Sequence, residues 1–141
     1  MLVKAKVLII DQSESTRTFM RFILSNSGYR ITAVDNAAKT AELLEEELFD
    51  VIIIDPRLAD KDGLELVSEI REIKAFAEIP ILAVTQFFNT ENQGKEAEAG
   101  ISHWITQPVS PHKLIEIMKE ISPDPEEYDD DMINSLVNQN Q

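Results

Sequence analysis

Apolar runs and amphipathic segments alternate along the chain. The runs are Lys6-Val7-Leu8-Ile9-Ile10, Tyr29-Arg30-Ile31-Thr32-Ala33-Val34, Val51-Ile52-Ile53-Ile54 and Pro80-Ile81-Leu82-Ala83-Val84-Thr85, with a shorter one inside 101–106. Their aliphatic, largely β-branched character predicts strands, and the third, apolar on both faces, predicts a central strand covered by helices on each side. Between them, apolar residues recur at helical spacing. Ser13 is placed to cap a helix over about 14–26 carrying Phe19, Met20, Phe22, Ile23 and Leu24, and Asp35-Asn36 to cap one carrying Ala38, Ala41, Leu44 and Leu48 inward. A third helix opens at Gly63, a residue able to take a positive φ before it, with Leu64, Leu66, Val67, Ile70 and Ile73 on its apolar side. The segment 90–99 is weakly amphipathic and broken by Gly94, so it predicts the least stable helix. Pro111 suits the first residue of the last, striped by Leu114, Ile115, Met118 and Ile121.

Five strand-then-helix units predict an α/β fold: a doubly wound, five-stranded parallel sheet with right-handed crossovers. In the order 2-1-3-4-5 the first and third strands are neighbours, which brings together Asp11 and Asp55, the acids at their carboxyl ends. Ligands of open α/β sheets are met just there. A turn or capping role for either acid also fits the residues alone.

Composition narrows the classes. The chain has 141 residues, 43% hydrophobic and 28% charged, ordinary for a single globular domain. It has no cysteine, which removes disulfides, thiolate metal sites and thiol nucleophiles. A net charge of −13 opposes binding to a phosphate backbone, so no direct nucleic-acid partner is expected. No run reaches membrane-span length and no leader precedes the first strand, so a cytoplasmic protein without a membrane partner is expected. The domain is read as 1–121. Residues 122–141 form an acidic tail, expected to be flexible or to carry a short docking helix around Met132, Ile133, Leu136 and Val137.

Taken together, these residues resemble the response-regulator receiver domain, the chemotaxis-regulator-like branch of the flavodoxin-like (βα)5 folds, over about residues 4–121. The resemblance rests on Asp11 after strand one, Asp55 ending strand three with Asp62-Gly63 beyond it, Thr85 ending strand four, Trp104 in strand five and Pro108 after it. It implies that Asp55 accepts a phosphoryl group from a histidine kinase or phosphotransfer protein. It also implies magnesium held by Asp11, Asp55, the Arg57 main-chain carbonyl and, weakly, Gln12. Thr85 and Trp104 would be the switch pair, signalling to an unknown output protein through the helix 4–strand 5–helix 5 face. Arg57 and Phe87 would modulate access, and the Gln107-Pro108 bond would be cis. The chain would then be a stand-alone signalling domain and not an enzyme beyond self-phosphotransfer and autodephosphorylation.

The departures from that pattern are specific. Gln12 replaces the second acid, Gln107 the lysine before the proline, and Gln86 the usual small residue after the threonine. An amide oxygen ligates a cation with less charge than a carboxylate, so weak magnesium binding is expected. A neutral donor at Gln107 gives a weaker bond to a phosphoryl oxygen. Losing one acid and one lysine leaves the site charge unchanged, so both a retuned phosphoacceptor and a phosphorylation-independent pseudo-receiver fit. For Trp104 a switch role and plain core packing both fit, and for Arg57 a solvent-exposed loop position also fits.

Overall fold

In the computed structural model, which describes residues 2–86, 90–124 and 126–127 and the side chains of 4–86 and 92–124, the main apolar runs are strands. These are β1 (Lys6–Ile10), β2 (Arg30–Val34), β3 (Val51–Ile54), β4 (Ile81–Thr85) and β5 (His103–Thr106). All four pairings are parallel and the order is β2-β1-β3-β4-β5, the predicted doubly wound sheet. Helices α1 (Glu14–Asn26), α2 (Ala37–Glu46), α3 (Gly63–Glu72), α4 (Thr90–Ala99) and α5 (Pro111–Ile121) connect and follow the strands. Side chains of β1 and β3 alternate between two apolar layers. Leu8, Ile10, Ile52 and Ile54 pack with α2 and α3 residues such as Leu44 and Val67. Val7, Ile9, Val51 and Ile53 pack with Met20, Leu24, Leu114 and Met118 of α1 and α5. Burial on both faces is why these strands read as unbroken aliphatic runs.

Helix starts follow the capping residues. Ser13, Asn36 and Ser110 accept from the amides of Thr16, Lys39 and Lys113, and Asp62 from that of Leu64. Several faces differ from the expected ones. In α1 the buried side chains are Met20 and Leu24, whereas Phe19 and Phe22 are 36% and 66% exposed. In α2 they are Ala37, Thr40 and Leu44, with Ala38, Ala41 and Leu48 outside. Ile73 is exposed, because a 3-10 turn over Lys74–Phe76 follows α3 and buries Phe76 instead. Gly63 has no positive φ; Gly28 and Gly100 do. A side chain at 63 would collide with the Cα and carbonyl of Pro56, so close approach is the reason for glycine there.

A feature absent from the sequence reading is a short antiparallel ribbon, Leu2–Val3 against Glu126–Glu127. Apart from it and residues 122–124, the acidic tail lies outside the described residues, as do Phe87 and Phe88. Among the described residues, no helix is long and apolar enough to cross a membrane.

Candidate functional site

The register Ile10 to Ile54 sets the next residues of β1 and β3 side by side, and the Asp55 amide donates to the Ile10 carbonyl at 3.0 Å. Asp11 is 1% and Asp55 4% exposed, two carboxylates withdrawn from water at the carboxyl edge of the sheet. Asp11 Oδ1 accepts from the Ser13 amide at 2.8 Å, while its Oδ2 is buried without a hydrogen-bond partner. Burial holds the Asp11 carboxyl above its ordinary range and the Asp55 charge adds to that; the Ser13 hydrogen bond, Arg57 and Arg17 oppose it.

Asp55 is partnered by its own loop. Arg57 donates from its amide and from Nε to Oδ1, each at 3.0 Å, and from Nη2 to Oδ2 at 2.6 Å. This bidentate pair pushes the guanidinium pKa up further, although the Arg57 side chain is itself half exposed. The loop is held where Gly63 lets α3 meet Pro56. With Arg57 counted beside Asp11 and Asp55, the immediate site carries one net negative charge. The sequence reading placed Arg57 near the site but did not foresee that its side chain would close on Asp55.

A cavity of about 180 Å³ opens beside this pair, bordered by Arg57, Thr85, Gln86, Glu96 and Trp104 over a floor of Val84. Thr85 and Trp104, the expected switch pair, thus share one cavity with Asp55. Trp104 is half-buried and donates from Nε1 to Glu96 Oε2 at 2.6 Å, so it is neither plain core nor free at the surface. Gln107 lies elsewhere: with Gln86, Pro108 and Phe19 it borders a second hollow, and its amide donates to the Thr85 carbonyl at 2.6 Å. Gln12 and Gln86 are exposed, and the Gln107-Pro108 bond is cis. Glu96 was missed, as was Arg17, whose Nη1 donates to the Asp11 carbonyl at 2.7 Å. Neither lies in a local pattern; each meets its partner only through the fold.

The donor set suits a hard cation. The described residues contain no cluster of three or more His, Cys, Asp or Glu side chains fit for a metal. Magnesium, however, keeps several waters and needs only one or two carboxylates. The orphaned Asp11 Oδ2 beside Asp55 supplies such a pair, and a bound cation would satisfy it.

Residues 7–119 match the model of the family described as response regulator receiver domain. An uncharacterized 14.6 kDa protein from the sodA1 3′ region of Leptolyngbya boryana is 29% identical over 119 residues, covering 84% of this chain and 91% of that one. The chain spans between 7% and 24% of the length of three other curated relatives. The chemotaxis response regulator CheY4 of Vibrio cholerae superposes with a TM-score of 0.81 at 26% identity, covering 84% of this chain and 99% of that one. The receiver domain of sensor histidine kinase PA1611 from Pseudomonas aeruginosa, with magnesium coordinated in its active-site cleft, gives 0.77 at 24% identity, covering 84% and 98%.

Proposed function

The chain belongs to the response regulator receiver domain family, and from that premise we propose that it accepts a phosphoryl group on Asp55 from a histidine kinase or phosphotransfer protein. The signal then leaves by protein–protein contact at the α4–β5–α5 face. The observation that carries this reading is the pair of buried carboxylates, Asp11 and Asp55, with one oxygen left unpartnered. As a receiver, the chain is a signalling module, its chemistry confined to phosphoryl transfer to Asp55 and hydrolysis of the resulting acyl phosphate.

In the forward step an Asp55 oxygen forms the O–P bond as the donor's P–N bond breaks, and the departing imidazole takes up a proton. Asp11, Asp55, the Arg57 carbonyl and, weakly, Gln12 would hold magnesium. When bound, that ion supplies charge that offsets the phosphoryl oxygens in a loose transition state. The PA1611 receiver offers the precedent of magnesium in this cleft. Arg57 has to leave Asp55 before transfer, and its guanidinium is then placed to donate to phosphoryl oxygens, making up part of the charge that Gln107 lacks. Thr85, on the shared cavity wall, offers a neutral hydroxyl donor. Phe87 joins Arg57 in controlling access.

A second reading, a phosphorylation-independent pseudo-receiver, is favoured by one observation: Arg57 already satisfies both Asp55 oxygens. Intact-protein mass after incubation with magnesium and phosphoramidate separates the two. The first reading expects a phosphoryl mass shift that Asp55→Asn abolishes. No shift in the wild type or in Arg57→Ala would turn the assignment to the second.

A further inference from the structure

Helix α1 carries an apolar stripe that the sheet does not use. Met20 and Leu24 pack inward, whereas Phe19 and Phe22, three residues apart and so neighbours on the helix surface, are 36% and 66% exposed. The ribbon fixes where the chain beyond Glu127 leaves the domain relative to this stripe. Glu127 pairs with Leu2, two residues before Lys4, and the Lys4 stem packs over Gly28 just past the end of α1, its ammonium 5.0 Å from the centre of the Tyr29 ring. The end of α5 is there too, where the Tyr29 and Ser122 hydroxyls share a hydrogen bond at 3.2 Å. Phe22 lies about 9 Å along α1 from Gly28. The step from Glu127 to Met132 spans up to about 17 Å when extended, which brings the residues after it within reach of the stripe.

Pattern and charge match across that distance. Met132, Ile133, Leu136 and Val137 recur at helical spacing and form one apolar stripe. Just ahead of them stand Asp129, Asp130 and Asp131, and no Lys or Arg follows Lys119 in the sequence. On the domain, Arg21 stands next to Phe22 and Arg30 next to Tyr29; both are exposed, and neither makes an ion pair among the described residues. Opposite charges so placed favour approach of the acidic run to this end of α1.

We propose that the acidic tail folds back on α1: Met132, Ile133, Leu136 and Val137 lie as one side of a short helix on Phe19 and Phe22, while Asp129, Asp130 and Asp131 meet Arg21 and Arg30. The occupant of the exposed stripe is thus the chain's own end. Phe19 also borders the hollow shared with Gln107 and Pro108, so the seated tail covers the α1 side of the sheet's carboxyl edge and narrows the approach of a protein partner from that side. The contact does not depend on phosphorylation of Asp55, and its test needs neither metal nor phosphodonor.

A segment of this length does not hold a helix alone in water, so slowed amide exchange over 132–137 reports that it is seated. In the full chain these amides are expected to exchange about tenfold more slowly than in a synthetic peptide of residues 128–141. Phe19→Ser combined with Phe22→Ser is expected to return them to the peptide rate, and Arg21→Glu with Arg30→Glu to bring them part of the way. Exchange at the peptide rate in the wild type would overturn the docking, and so would protection that survives the loss of both phenylalanines. Protection that grows with protein concentration would also overturn it, by giving the stripe to a second copy. Should the phenylalanine variant not fold, Leu136→Asp, which lies beyond the domain, serves instead. It is expected to shift the Phe19 and Phe22 ring resonances, and unmoved resonances would overturn the docking.

Discussion

Arg57 and Asp55 close a ring across two residues, the guanidinium gripping both carboxylate oxygens from the loop that the carboxylate itself begins. The pair is local and half open to water on the arginine side.

On the proposed reading, magnesium and Arg57 compete for the same oxygens. Half-exposed ion pairs contribute at most about 1 kcal/mol, so Arg57→Ala is expected to tighten magnesium binding about fivefold, by titration calorimetry. Equal affinities in the two proteins would mean that Arg57 swings away at no cost.

Two acids give opposite pH responses. Burial raises the Asp11 pKa, so the folded state holds this proton to higher pH than the unfolded state; its contribution is greatest below the ordinary value of 3.8 and is lost as pH rises through the raised folded value. Asp11→Asn should gain over wild type across that rise, by about 1 kcal/mol at neutral pH, in urea unfolding without magnesium. Asp60 accepts from the Ala37 and Ala38 amides at the start of α2, which lowers its pKa, so its contribution is present above 3.8 and lost as pH falls through the lowered folded value. Asp60→Ala should be least stable relative to wild type at neutral pH and converge with it in acid. Parallel pH profiles for wild type and either variant would contradict the assignment.

At Gly63 helix propensity favours alanine by about 1 kcal/mol, yet the Cβ would strike the Pro56 backbone. Gly63→Ala is expected to be destabilised by about 2 kcal/mol, the typical cost of overpacking. Because Pro56 joins Asp55 to Arg57, the same variant should bind magnesium less well. Wild-type stability in urea would show that α3 shifts freely.

Arg71 works as a clamp. Its Nε and Nη2 donate to the Gly100 carbonyl and its Nη1 to those of Phe76 and Ile79, joining the end of α4 to the turn after α3. Arg71→Ala leaves these carbonyls without their donor, with an expected loss of about 3 kcal/mol. Arg71→Lys should recover only part of it, because an ammonium cannot span the three carbonyls as a planar fork does. Full recovery in thermal unfolding would reduce Arg71 to a counter-charge.

Strands and helix starts were legible because their signals are local: aliphatic runs, and Ser13, Asn36 and Ser110 ahead of amphipathic segments. The α2 face was misread by one position because alanines are too small to mark a side; Ala37 and Thr40 are buried where Ala38 and Ala41 were expected. Phe19 and Phe22 fall among the apolar residues at helical spacing in α1, yet they lie outside, because five such residues span more of the helix than the face that packs on the sheet. Asp11 and Asp55 were paired correctly because strand order fixes strand ends. Glu96 with Trp104, and Arg57 on Asp55, depend on side-chain directions that no periodicity encodes.

The ribbon between Leu2–Val3 and Glu126–Glu127 has a mechanical consequence. Leu2 pairs with Glu127, so the chain departs toward both termini from the same end of the ribbon. Tension applied through the termini would load its ladder bonds one after another, as in a zipper, and not all at once in shear. Two residue pairs resist little when opened in that geometry. A single-molecule extension trace should begin with a small, low-force release of this ribbon, after which the pull reaches β1 and α5 with the five-stranded sheet still whole.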